Sequence, residues 1–192
     1  MNEWTRLLLA VPAGYLLGGI PFPYLLGRLR GKDLFRVGTD NPGAANLFRA
    51  VSRPLGLLAA LLDIGKGTAA ILVARRLGVP SALLVLPGAG AMFGHWYSPF
   101  LGFRGGEALA TVVGVGLGLT PVPAIAGILV GLILLAIIRS TGHAAGLAWP
   151  VFVGVAIWRG VPWAVVVGAT ILATLVTVRS AVRRSRTRLD AP

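Results

Sequence analysis

Three stretches without a single charged side chain decide what this chain can become: Leu7–Gly27 with 21 residues, Ala108–Ile138 with 31 and Gly160–Val178 with 19. A bilayer core of about 30 Å is crossed by roughly 20 apolar residues in helical form. Lipid offers the backbone no hydrogen-bond partners, so a spanning segment must close its own, as a helix does. The runs therefore predict an all-α, polytopic integral membrane helical bundle. Composition agrees: 12% of the 192 residues are charged, about half the share usual in soluble domains, and the mean hydropathy is +0.82. Disorder, a coiled coil and a soluble globule are excluded. With no cysteine, so are disulfides, thiol nucleophiles and thiolate metal sites.

Seven spans are expected: Leu7–Gly27, Pro54–Arg76, Val79–Gly94, Ala108–Leu119, Val122–Ile138, Leu147–Trp158 and Pro162–Val178. The fourth and sixth hold 12 residues each, a helical reach of about 18 Å, so five to seven full crossings are expected. The net charge of +12 does not read as nucleic-acid binding, because the basic residues flank apolar spans. Six lie between Arg28 and Arg53, and five (Arg179, Arg183, Arg184, Arg186 and Arg188) follow the last span. With the amino end outside, all eleven of these (Lys32 among the first six), Arg104 and Arg139 fall on inner segments. Only Arg6, Arg75, Arg76 and Arg159 fall on outer ones. That asymmetry follows the positive-inside rule and places the carboxyl end in the cytoplasm. Residues 1–178 then form one transmembrane domain and residues 179–192 a basic cytoplasmic tail.

Three polar constellations interrupt the apolar pattern. Asp63 and Lys66, in Asp63-Ile64-Gly65-Lys66-Gly67, stand three apart and share a helix face. Charges at mid-membrane cost about 2.5–3.5 kcal/mol each on insertion scales, so the pair should face the bundle interior. Lys66 then meets an anion with Asp63 holding its rotamer, or the two simply neutralise each other. The loop from Arg36 through Gly38, Thr39, Asp40, Asn41 and Gly43 to Asn46 is rich in glycine and amides. Such loops expose successive N–H groups to phosphate oxygens, although the same residues also suit ordinary turns. A second inner loop runs from His95 to Glu107, with Arg104, Gly105 and Gly106 as an anion nest and His95 as a proton acceptor near neutral pH. Ser98, beside a proline, reads as a turn residue. No spacing of histidines and carboxylates suggests a metal, and no serine sits in a nucleophile elbow.

In order, Leu16-Leu17-Gly18-Gly19-Ile20-Pro21-Phe22, the Arg36–Asn46 loop, Asp63-Ile64-Gly65-Lys66-Gly67 and the segment from Gly94-His95 to Ala110-Thr111 resemble the bacterial membrane acyl-phosphate:glycerol-3-phosphate acyltransferases. The resemblance implies a small bundle whose inner loops gather a site at the cytoplasmic face of the bacterial inner membrane. It implies transfer of an acyl chain from acyl phosphate to the 1-hydroxyl of glycerol 3-phosphate, without coenzyme A or any other cofactor. By motif match, Arg36, Gly38, Thr39, Asn41 and Gly43 bind phosphate with Asp63, Arg104, Gly105 and Gly106. His95, Lys66 and Asn46 are the catalytic candidates. The partners are the two substrates and membrane lipids.

The chain departs from the family pattern where that pattern touches phosphate. Asp40 and Ala45 replace a glycine and a threonine of the first loop, and Glu107 and Ala108 replace the Lys-Gly of a Gly-Gly-Lys-Gly sequence. Gly142 and Ala145 stand where two serines follow Arg139. A carboxylate in place of the lysine, about 6 Å from a phosphate at an effective dielectric near 20, is worth about 3 kcal/mol per unit charge. Glu107→Lys is therefore expected to strengthen phosphate binding. The departures leave two other readings open: a non-catalytic relative that binds lipid or a partner, and a protein binding or transporting another small ligand, with Asp40 and Glu107 holding a cation.

Overall fold

The computed structural model describes residues 2–189, apart from the side chains of Thr141 and of residues 184–189. Its regular structure is helical: α1 Glu3–Gly19, α2 Phe22–Arg28, α3 Ala44–Ala50, α4 Arg53–Arg76, α5 Val85–Trp96, α6 Leu109–Leu119, α7 Pro121–Ile138, α8 Thr141–Trp158 and α9 Trp163–Leu189. Four stretches are long and apolar enough to cross a membrane: Glu3–Arg28, which takes α1 and α2 together, Arg53–Arg76, Pro121–Ile138 and Trp163–Arg183. The lipid-facing character is plain on α7, where Leu129, Leu132, Ile133 and Ile137 are all more than half exposed. A helix apolar all round and covered by protein on one side only needs lipid as its solvent on the other.

Four expected spans take a different form. Leu7–Gly27 is two helices, because Pro21 and Pro23 supply no N–H to continue the ladder past Gly19. Val79–Gly94 is a 3-10 turn at Ser81–Leu83 followed by a helix of only 12 residues. The sixth span begins earlier than expected, at Thr141, so α8 has 18 residues and reaches about 27 Å. The last span does not stop at Val178; α9 continues to Leu189. Its basic extension is therefore helix, although the side chains of Arg184, Arg186 and Arg188, with residues 190–192, lie outside the described residues.

The short α5 is held against α1 by glycine. A Cβ at Gly18 would fall on the Ala91 carbonyl and one at Gly94 on the Tyr15 carbonyl, so the backbones approach as only glycine allows. The same device joins α4 to α6, where Gly67 lies under the Thr111 carbonyl and Gly114 under that of Ile64. Gly67 is thus sealed by a neighbouring helix rather than open to a ligand. The main core runs through Ala70, Ile71, Leu84, Met92, Val115 and Val176, and a small second cluster of Leu34, Leu47 and Ala59 anchors the first inner loop.

Candidate active site

The break between α1 and α2 builds one wall of the site. Pro23 lacks the N–H that would have met the Gly19 carbonyl, and that oxygen instead accepts from Ser98 Oγ at 2.6 Å. The Ile20 carbonyl accepts from Lys66 Nζ at 2.7 Å. Lys66 is also 2.8 Å from Asp63 Oδ1, and both side chains are only 2% exposed. Buried charges survive when paired and hydrogen-bonded. The pair and the helix break hold each other in place.

His95 closes the opposite side. It lies in the last turn of α5, with Nδ1 3.1 Å from Thr111 Oγ1 on α6 and 3.8 Å from Asp63 Oδ1. The Gly106 N–H donates to the His95 carbonyl at 3.2 Å, and a Cβ on Gly106 would lie against His95 Nε2. The ring's free nitrogen therefore faces the Gly105–Gly106 turn across a space that only glycine leaves open. Lys66, His95, Gly105 and Gly106 share one small cleft with Ile20 and Pro42.

The first inner loop is shaped from within by Asn46, which is 2% exposed. Its Oδ1 accepts from the Thr39 N–H at 3.0 Å, and its Nδ2 donates to the carbonyls of Val37 and Asn41 at 2.9 Å and of Leu34 at 3.3 Å. The amide is turned into its own loop, not into the cleft. Asn46→Asp would set a carboxylate against three carbonyl oxygens, at a cost of about 3 kcal/mol. The expected result is faster proteolysis within residues 36–46 and a lower melting temperature. Unchanged protease resistance would show that the loop does not depend on that amide.

The remaining expected ligands are spread along the mouth. Gly38 takes the left-handed backbone at φ +65°, and Gly43 is the N-cap of α3. Thr39 is exposed, Arg36 is 85% exposed and 3.9 Å from Asp33, and the Arg104 guanidinium lies 4.0 Å over the Phe35 ring, tying the two loops. Asn41 Nδ2 donates to Glu107 Oε1 at 3.3 Å. Two departures from the family pattern keep the glycine backbone: Asp40 at φ +50° and Ala108 at φ +63° are both left-handed, a conformation costing an L-residue about 1–2 kcal/mol. Ala145 lines an apolar cavity, and His143 is paired with Ser140 at 2.8 Å on the surface.

Four contributors were not expected. Ser98 is no mere turn residue but is 2% exposed and bonded to Gly19; its signal was a serine directly after the aromatic end of a span. Thr111 orients His95. The third and fourth come from α9: Ser180 Oγ donates to Glu107 Oε2 at 3.0 Å, and Arg183 donates to the carbonyls of Asp40 at 3.2 Å and Gly105 at 3.4 Å. Their spacing after Val178 put them on consecutive turns of a continued helix, which reading the segment as a tail concealed. Glu107, expected as a bare negative charge beside the phosphate, is instead hydrogen-bonded by Asn41 and Ser180. Among the described residues no group of three or more His, Asp or Glu is gathered to hold a metal.

The family model for glycerol-3-phosphate acyltransferase matches residues 8–188. The glycerol-3-phosphate acyltransferase of Geobacter sulfurreducens is 34% identical over 185 residues, 93% of each chain. Glycerol-3-phosphate acyltransferase 1 of Deinococcus radiodurans is 46% identical over 115 residues, which span 60% of this chain and 58% of that protein. Two crystal structures of PlsY (YgiH), an integral membrane glycerol 3-phosphate acyltransferase, superpose on it. The glycerol 3-phosphate form has a TM-score of 0.82 at 33% identity, and the lysophosphatidic acid form 0.81 at 32%; each match covers 94% of this chain and 92% of the other. With a family match over nearly its whole length and a shared membrane-helical fold, this chain belongs to the glycerol-3-phosphate acyltransferase family.

Proposed function

We propose that the chain transfers an acyl group from acyl phosphate to the 1-hydroxyl of glycerol 3-phosphate, giving lysophosphatidate and phosphate for phospholipid synthesis. One observation carries this reading: Lys66, His95 and the Gly105–Gly106 turn meet in one cleft of a fold that matches PlsY in its glycerol 3-phosphate and lysophosphatidic acid forms. Acyl phosphate is already activated, so placement and charge neutralisation suffice to drive its transfer. With its proton on Nδ1, held between Thr111 and Asp63, His95 has Nε2 free as a general base. As the 1-hydroxyl oxygen attacks the acyl carbon, its proton passes to Nε2. The acyl carbon–oxygen bond to phosphate breaks, and the departing phosphate takes that proton. Lys66, ion-paired with Asp63 and hydrogen-bonded to the Ile20 carbonyl, turns a remaining N–H to the phosphate. Asn46 serves by fixing the loop on which Gly38, Thr39 and Asn41 stand.

An apolar cavity of about 490 Å³ supports the acyl donor's place. It is lined by Ile64 and Leu109, the chain neighbours of Asp63 and Ala108, and by residues of α6, α7, α8 and α9 that include Gly127 and Phe152. The site faces the cytoplasm of the bacterial inner membrane, an orientation supported by the excess of basic residues on the segments bearing the two loops.

Purified protein, in detergent or a lipid mesophase, is expected to release phosphate from palmitoyl phosphate only when glycerol 3-phosphate is present. No turnover while another family member works alongside would overturn the assignment.

A further inference from the structure

The two acidic departures from the family pattern lie around one guanidinium. Glu107 and Asp40 are the carboxylates whose charges act on Arg183, while Arg104 and Arg179 are the neighbouring cations. Arg183 is also hydrogen-bonded to one carbonyl of each inner loop, Asp40 of the first and Gly105 of the second. Glu107 meanwhile holds Asn41 of the first loop with one oxygen and Ser180 of α9 with the other. One turn earlier on α9, Arg179 lies 4.7 Å over the Trp96 ring and donates to Tyr97 Oη at 2.9 Å, which fixes the helix beside the His95 end of α5. Arg179 and Arg183 are four apart and share a helix face.

Resting on the acyltransferase reading, we propose that Glu107 and Arg183 form a positioning pair for glycerol 3-phosphate, through which the carboxyl-terminal helix closes the first inner loop onto the Gly105–Gly106 turn. The family pattern has a lysine at position 107; here the cation enters from α9, and the carboxylate at 107 is its counter-charge. A lysine at 107 would replace a carboxylate near Arg183 by a second cation and lose the acceptor that Asn41 and Ser180 use. The pair explains how a carboxylate is tolerated beside a phosphate site. It also reverses the expectation drawn from charge alone: Glu107→Lys weakens phosphate binding instead of strengthening it.

The test is a charge-swap cycle in the full chain with palmitoyl phosphate as donor. Glu107→Lys and Arg183→Glu are each expected to raise KM for glycerol 3-phosphate about tenfold, with kcat at saturation falling less than about threefold. The double variant should have a KM at least about threefold lower than either single variant, since each restores the other's partner. Arg183→Lys, which keeps the charge, should stay within about threefold of the unaltered chain. In a second arm that does not need turnover, glycerol 3-phosphate or inorganic phosphate should raise the melting temperature of the unaltered protein and of the double variant, and raise it less in each single variant. If the unaltered chain shows this stabilisation but no turnover, the acyltransferase reading fails and the pair stands. A lower KM in Glu107→Lys, a double variant no better than the singles, or phosphate stabilisation equal in all variants overturns the pair.

Discussion

Asp63→Ala is expected to be among the most destabilising single changes available to this protein. The Lys66 ammonium would remain in the bundle interior with the Ile20 carbonyl at 2.7 Å and the Phe22 ring face at 5.9 Å, but without its counter-charge. Breaking one half of a buried pair typically costs about 3–5 kcal/mol, because the surviving charge is left uncompensated. For a chain of this length that is roughly a 10 °C fall in melting temperature. Replacing both partners, as Asp63→Leu with Lys66→Met, removes both charges together and should recover most of the loss, while turnover stays absent because nothing neutralises the leaving phosphate. Melting temperature and phosphate release from palmitoyl phosphate, measured on the same preparations, separate the two effects. A single variant as stable as the unaltered chain would mean that Lys66 does not need Asp63.

His95→Asn should lower kcat by about 10²–10⁴, the usual contribution of a positioned general base, while leaving the fold intact. The reason lies in the two faces of the ring. An asparagine amide can take over the Nδ1 bond to Thr111, which keeps α5 and α6 in register, but nothing then occupies the place of Nε2 opposite Gly106. KM for glycerol 3-phosphate should change little, since the phosphate contacts lie on other residues. His95→Ala, by contrast, loses the Thr111 bond as well and should add a fall in melting temperature. If His95→Asn keeps most of its activity, the hydroxyl is activated by another group and the role of Nε2 is refuted.

Particular residues show how far the sequence could be read. Asp63 and Lys66 were legible as an inward-facing pair because two opposite charges one turn apart in an apolar helix have no other stable arrangement. The Gly105–Gly106 turn and His95 were legible as neighbours of a site through their place at a span end. Asn46 was legible as important but not in its orientation: an amide both donates and accepts, and only the path of the loop shows that its partners are Thr39, Val37, Asn41 and Leu34. The bonds to Gly19 and Ile20 from Ser98 and Lys66 join residues 79 and 46 positions apart. No local pattern encodes such a distance.

Membrane residence, helical class and the approximate span positions were determined by the sequence alone, because the cost of exposing backbone or charge to lipid acts on each segment separately. Which way each polar side chain turns, and which groups surround an unexpected charge, was decided only in the tertiary structure. Glu107 is the clearest case. Read along the chain it is a negative charge where the family has a positive one; in three dimensions it is bound by Asn41 and Ser180 and set against Arg183 from the far end of the chain. Electrostatic energy depends on distance through space, and helix packing sets that distance between residues that are remote in sequence.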